Sequence, residues 1–170
     1  MSVQFSLTKG EVASAAVPLL AVVLPSEAKL PRELSALDKA MDGALSLALS
    51  RGDFSGGKDE TLLLLNAGKG PQRVLLVGSG AGDTKGLTRA ATLAGRRANA
   101  LNVRTMSVWA ADLQGERVEA VVVGLSLGSW EFRELMSPPK AGKPKKPLTA
   151  AKIYVENTTA TKAALEAGVA

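Results

Sequence analysis

The chain has 170 residues, a formal net charge of +5, and neither cysteine nor histidine. That length suits one domain with a proper core, about 70% of the unfolded surface being buried at this size. The missing residue types exclude a disulfide, a thiolate site, a Ser-His-Asp triad and a His-ligated metal centre within these residues.

Aromatic residues make up 4% of the chain, so the core must be built from Leu, Val and Ala. Lys140, Lys143, Lys145 and Lys146 supply four of the five net charges, which leaves the remainder nearly balanced. The apolar run from Val17 to Leu24 is too short to span a bilayer and follows Lys9 and Glu11. No secretory signal is read there, and the expected location is cytoplasmic, with no membrane contact.

Val3, Phe5 and Leu7 alternate with polar residues, the period of a half-buried strand. A second strand is expected over Val17 to Leu24, with Pro18 near its start and Pro25 stopping it. From Pro31 to Arg51, Leu34, Leu37, Met41, Ala44, Leu45 and Ala48 make one stripe, predicting a single long helix capped by Gly52. Asp53 to Asp59 reads as an exposed loop. Thr61 to Ala67 and Arg73 to Val77 are apolar runs around the turn Gly68-Lys69-Gly70-Pro71, and both read as strands buried on two faces.

A helix is expected from Thr84 to Leu101, with Asp83 as its N-cap and Leu87, Ala91, Ala94, Ala98 and Leu101 as its stripe. Arg104 to Ala110 reads as a strand and Asp112 to Gly115 as a turn. Glu116 to about Phe132 reads as a helix, with a strand as the alternative over the β-branched run Ala120 to Leu125. Ser137 to Pro147 is a loop rich in lysine and proline. Ile153 to Val155 is a short final strand, and Thr158 to Ala170 begins a helix without a C-terminal cap. The alternation predicts an α/β fold: a mixed, mostly parallel central sheet with helices on both faces, in three layers. Three parts follow: 1–136 as the α/β domain, 137–148 as the basic loop, and 149–170 as a final strand and the start of a helix.

Three places invite a chemical reading. Gly78-Ser79-Gly80-Ala81-Gly82 lies between a strand and a helix, the context of a phosphate cradle. Its glycine spacing fits neither the dinucleotide fingerprint nor a P-loop, and Asp83 would repel a phosphate, so a tight structural turn is the preferred reading. The lysines at 140, 143, 145 and 146 could contact nucleic-acid phosphates, but with no aromatic among them they read as a solvated linker. The acidic pairs Asp38/Asp42 and Asp59/Glu60 have the chemistry for a hard cation, yet each has a basic neighbour, Lys39 or Lys58, and reads as surface. Trp109 and Trp130 read as core or interface. No catalytic, cofactor-binding or metal-binding residue is assigned.

The order of features is similar to a known family. The passage from Leu45 through Arg51-Gly52-Asp53-Phe54-Ser55-Gly56 to Thr61-Leu62-Leu63-Leu64-Leu65 carries part of it. So do Arg73-Val74-Leu75-Leu76-Val77-Gly78-Ser79-Gly80 and Trp130-Glu131-Phe132-Arg133-Glu134-Leu135. Together they resemble the N-terminal domain of the cytosolic leucyl aminopeptidases, across nearly the whole chain.

The resemblance implies a macro-domain-like fold and a parent enzyme that removes N-terminal residues from peptides with two divalent ions, manganese or zinc. It also implies a homohexamer in which this domain is joined to its own C-terminal catalytic domain. In the family the ligands and catalytic residues surround an Asn-Thr-Asp-Ala-Glu-Gly-Arg motif, which this chain lacks, so none carries over. The expectation is a non-catalytic assembly or regulatory domain, truncated at Ala170 and inactive alone. The alternatives are a stand-alone nucleotide or ADP-ribose module using Gly78 to Gly82, and a DNA-binding accessory domain using the lysines.

Overall fold

The structure, a computed structural model, describes residues 3–130, 147–155 and 166. One six-stranded sheet organises it, in the order β1-β6-β5-β2-β4-β3. The strands are β1 (Gln4–Thr8), β2 (Leu20–Leu24), β3 (Thr61–Leu65), β4 (Arg73–Gly78), β5 (Thr105–Ala110) and β6 (Ala150–Tyr154). Every neighbouring pair is parallel except β3 with β4, which is antiparallel. This is the mixed, mostly parallel α/β sheet that the alternating pattern predicts.

The central strands are continuous apolar runs because both their faces are covered. Leu20 through Leu24 are all buried. Ala21, Val23, Leu75, Val77, Val108 and Ile153 share one core with the helices α3 (Thr84–Ala100) and α4 (Glu116–Ser129). Leu20, Val22, Leu24, Leu76 and Trp109 share the other with α1 (Ser35–Ala40), α2 (Ala44–Arg51) and Phe54. The sheet is thus the middle of three layers.

Close approach holds the α3–α4 layer together. A Cβ on Gly124 would run into the Thr88 carbonyl, and one on Gly128 into the Thr92 carbonyl. Gly95 answers from α3, facing Gly128 and Ser129. Asn99 closes the far end: its amide donates to the Ser129 carbonyl at 2.8 Å and its oxygen accepts from the Leu148 N–H at 2.9 Å.

Five sequence expectations need correction. The helix over Pro31 to Arg51 is broken into a 3-10 turn at Arg32–Leu34, then α1 and α2. Asp42 and Gly43 sit at φ +55 and +78, and the Asp38 carboxylate accepts from the N–H groups of Leu45 and Ser46 and from the Ser46 hydroxyl. The break falls at Asp42 and Gly43, and the Asp38 side chain caps the helix that follows. The apolar stripe survives because Leu34, Leu37, Met41, Leu45 and Ala48 still reach the core.

Thr61–Leu65 is an edge strand, only half-buried, whereas β4 is buried as expected. The second strand begins at Leu20, after Pro18, and the final strand spans Ala150–Tyr154. The last described helix is helical throughout Ala120 to Leu125, ends at Ser129, and leaves Trp130 66% exposed. Phe132, the lysines at 140, 143, 145 and 146, and the helix expected from Thr158 lie outside the described residues, Glu166 excepted. β6 sits between β1 and β5, so residues 150–154 belong to the same sheet as the first strand. Among the described residues no helix is long and apolar enough to cross a membrane.

Candidate functional site

The carboxyl ends of β2, β4 and β5 lie side by side, where open α/β sheets carry their ligands. β4 runs straight into the glycine loop. A Cβ on Gly78 would strike the Gly57 carbonyl, and one on Gly86 the Ser79 carbonyl. Gly80 and Gly82 hold φ of +65 and +76, which other residues rarely adopt.

Four of the loop's five amides are spent inside the chain. Gly78 N donates to the Glu60 carbonyl at 2.8 Å, Ser79 N to Leu24 at 2.9 Å, Gly80 N to Gly56 at 3.0 Å and Gly82 N to Ser79 at 3.4 Å. The Gly80 carbonyl accepts in turn from Ser26 N at 2.8 Å. A phosphate cradle presents such donors to open space; here they tie the ends of β2 and β4 to the segment preceding β3. Asp83 caps α3 by accepting from Gly86 N at 2.8 Å, which puts a carboxylate where a phosphate would approach.

Arg117 is the organising cation of this corner, and the sequence reading did not single it out. Its guanidinium donates to the Gly82 carbonyl at 2.8 Å and to Asp112 and Ala111 at 3.2 Å each. It thereby staples the loop before α3 to the loop before α4. The available signal was slight: a cation in the first turn of a helix works against the dipole, so it needs carbonyls to hold it.

Two clefts flank Ala110-Ala111-Asp112. One, of about 310 Å³, lies between Pro25, Ser79, Gly82, Leu87 and Arg117. The other, of about 410 Å³, is lined by Lys9, Glu33, Trp109, Leu113 and Tyr154 among others. Burial pushes the Tyr154 phenol above its usual range, so it stays a neutral hydroxyl.

The acidic candidates are placed apart, each with a local duty. Asp38 caps α2. Asp42 and Asp59 occupy left-handed turn positions at φ +55 and +63. Glu60 staples its own loop: it accepts from Ser55 N at 2.9 Å, the Ser55 hydroxyl at 2.7 Å and Gly57 N at 3.0 Å. The Ser55 hydroxyl bond, against the opposing effect of burial and with help from the Ser55 and Gly57 amides, holds the Glu60 carboxyl below its ordinary value. Among the described residues no three His, Cys, Asp or Glu side chains come together as a metal site. The two divalent ions implied by the family resemblance therefore do not fit the described part of this chain. Trp109 lies in the core and Trp130 on the surface.

The model of the cytosol aminopeptidase family N-terminal domain matches residues 19–139. The chain belongs to the cytosol aminopeptidase family, as its N-terminal domain. A probable cytosol aminopeptidase of Geotalea uraniireducens is 37% identical over 105 residues, covering 58% of this chain and 21% of that protein. The chain thus spans about a fifth of the length of that curated relative. Among solved structures, a tomato leucine aminopeptidase mutant matches at a TM-score of 0.78 and 22% identity, over 98% of this chain and 35% of that one. The macrodomain of Mycobacterium tuberculosis DarG matches at a TM-score of 0.59 and 16% identity, over 91% of this chain and 99% of that one. Both structures share the fold, so this aminopeptidase domain is macrodomain-like.

Proposed function

We propose that the chain is the non-catalytic N-terminal domain of a metal-dependent leucyl aminopeptidase of the cytoplasm, serving the assembly or regulation of that enzyme. The observation that carries this reading is the match of the N-terminal domain model over residues 19–139 in a chain spanning a fifth of its relative. The local geometry supports it. The carboxylates of Asp38, Asp83 and Glu60 already accept hydrogen bonds from the backbone. The amides of Gly78, Ser79 and Gly80 are likewise engaged in holding the loop to β2 and to the segment before β3. In this reading peptide hydrolysis and both divalent ions belong to a C-terminal catalytic domain, and no chemical step is assigned to residues of this chain.

Purified chain should release no nitroaniline from leucine p-nitroanilide with added manganese or zinc. Turnover above the metal-only blank, surviving repurification, would overturn the reading.

A further inference from the structure

Among the described residues, the outer edge of β3 is left without a neighbouring strand. In the β3–β4 ladder Gly78 N donates to the Glu60 carbonyl and Asn66 N to the Gln72 carbonyl. With the register Leu62↔Leu76 and Leu64↔Val74, the even-numbered residues of β3 exchange peptide hydrogen bonds with β4. The peptide N–H and C=O groups of Thr61, Leu63 and Leu65 therefore point away from the sheet. Among the described residues no strand pairs with them.

Edge strands are normally blunted by Lys, Pro or a bulge. The sequence Thr61-Leu62-Leu63-Leu64-Leu65 has none of these, and Leu65 is 76% exposed. The opposite edge, β1, exposes Gln4 and Ser6 instead.

We infer that this edge pairs with the same edge of a second copy of the chain, antiparallel about a two-fold axis at Leu63, making one sheet continuous through two molecules. The outward peptide groups are self-complementary about that point: Leu63 faces its own counterpart and Thr61 faces the other copy's Leu65. Charge selects the antiparallel sense. Lys58, Asp59 and Glu60 give the entry to β3 one net negative charge, while the turn after it carries Lys69. Antiparallel pairing sets the acidic end of one copy beside the basic end of the other, whereas parallel pairing would set like ends together. Backbone hydrogen bonds supply the pairing, and the leucines on either face exclude water from them.

The inference does not depend on the aminopeptidase reading and is tested on the chain itself. Sedimentation equilibrium should show a concentration-dependent dimer. Leu65→Pro removes only an outward N–H and leaves the β4 ladder intact, so it should give a monomer with unchanged circular dichroism. The chain lacks cysteine, so the register can be read by oxidation. Directly opposed residues have Cα atoms about 5.5 Å apart, within disulfide reach. Leu63→Cys should cross-link to itself in air. Leu65→Cys, although more exposed, should not, because its counterpart lies more than about 13 Å along the strand. A wild-type monomer up to its solubility limit, a folded Leu65→Pro dimer, or Leu65→Cys cross-linking as fast as Leu63→Cys would each overturn the proposal. If Leu65→Pro does not fold, the cysteine pair decides.

Discussion

Glu60 shows how a single carboxylate is committed to architecture. Its oxygens gather the Ser55 hydroxyl and two amides, and so fix the segment on which Gly78 and Gly80 rest. Because its folded-state pKa is depressed, its contribution to stability is fully present above the unfolded value of about 4.3 and is lost as pH falls through the folded value. The loop is exposed, so the contribution should stay below about 1 kcal/mol. Urea unfolding of wild type and Glu60→Gln should therefore differ at pH 7 and converge as pH falls below the folded-state value. A gap that persists unchanged in acid would assign the effect to packing. Asp38 plays the matching part at α2. Both residues looked like surface charge in the sequence because adjacent Lys39 and Lys58 neutralise them on paper. What they accept from lies three to eight residues away along the chain, beyond a reading of adjacent residues.

At the level of elements, periodicity revealed nearly everything that burial decides. The two-face burial of β2 and β4 and the helical stripe of α3 were legible because apolar spacing reports packing directly. The edge position of β3 was not, since a strand of four leucines reads as interior until its partners are known. The break between α1 and α2 was hidden as well: the stripe continues across it, and only the left-handed Asp42 and Gly43 reveal the turn. The small residues Ala91, Ala94 and Ala98 of α3 pack in the core shared with the sheet. They serve equally the contact with α4, where Gly95, Gly124 and Gly128 leave no room for a methyl group. Gly128→Leu should therefore cost about 1–3 kcal/mol or more, with melting temperature falling accordingly, while exposed Leu127→Ala should change stability by less than about 0.5 kcal/mol. Comparable melting of both variants would mean that the helices can separate without loss.

Across the whole molecule, Asn99 does what no hydrophobic contact can: it fixes the end of α4 and the approach to β6 with one buried amide. Leu148 precedes β6 by two residues, so this bond sets where the last strand enters the sheet. Replacing Asn99 with Leu strands the Ser129 carbonyl and the Leu148 N–H in the interior. Each unpaired group should cost about 1–3 kcal/mol, and calorimetry should show a melting point lower by several degrees, at about 2–4 °C per kcal/mol. An unchanged melting point would show that water or a shifted backbone satisfies both groups. The corner held by Arg117 was the least legible part of the candidate site, because its three acceptors are carbonyls, which every sequence possesses at every position.

The placement of β6 between β1 and β5 has a consequence for how the protein is made. β1 has no described neighbour other than β6, and β6 ends at Tyr154. During synthesis β1 must wait for residues 150–154 before it can take its place in this sheet. β6 and β1 therefore join the sheet after a β2–β4–β5 centre that can assemble earlier.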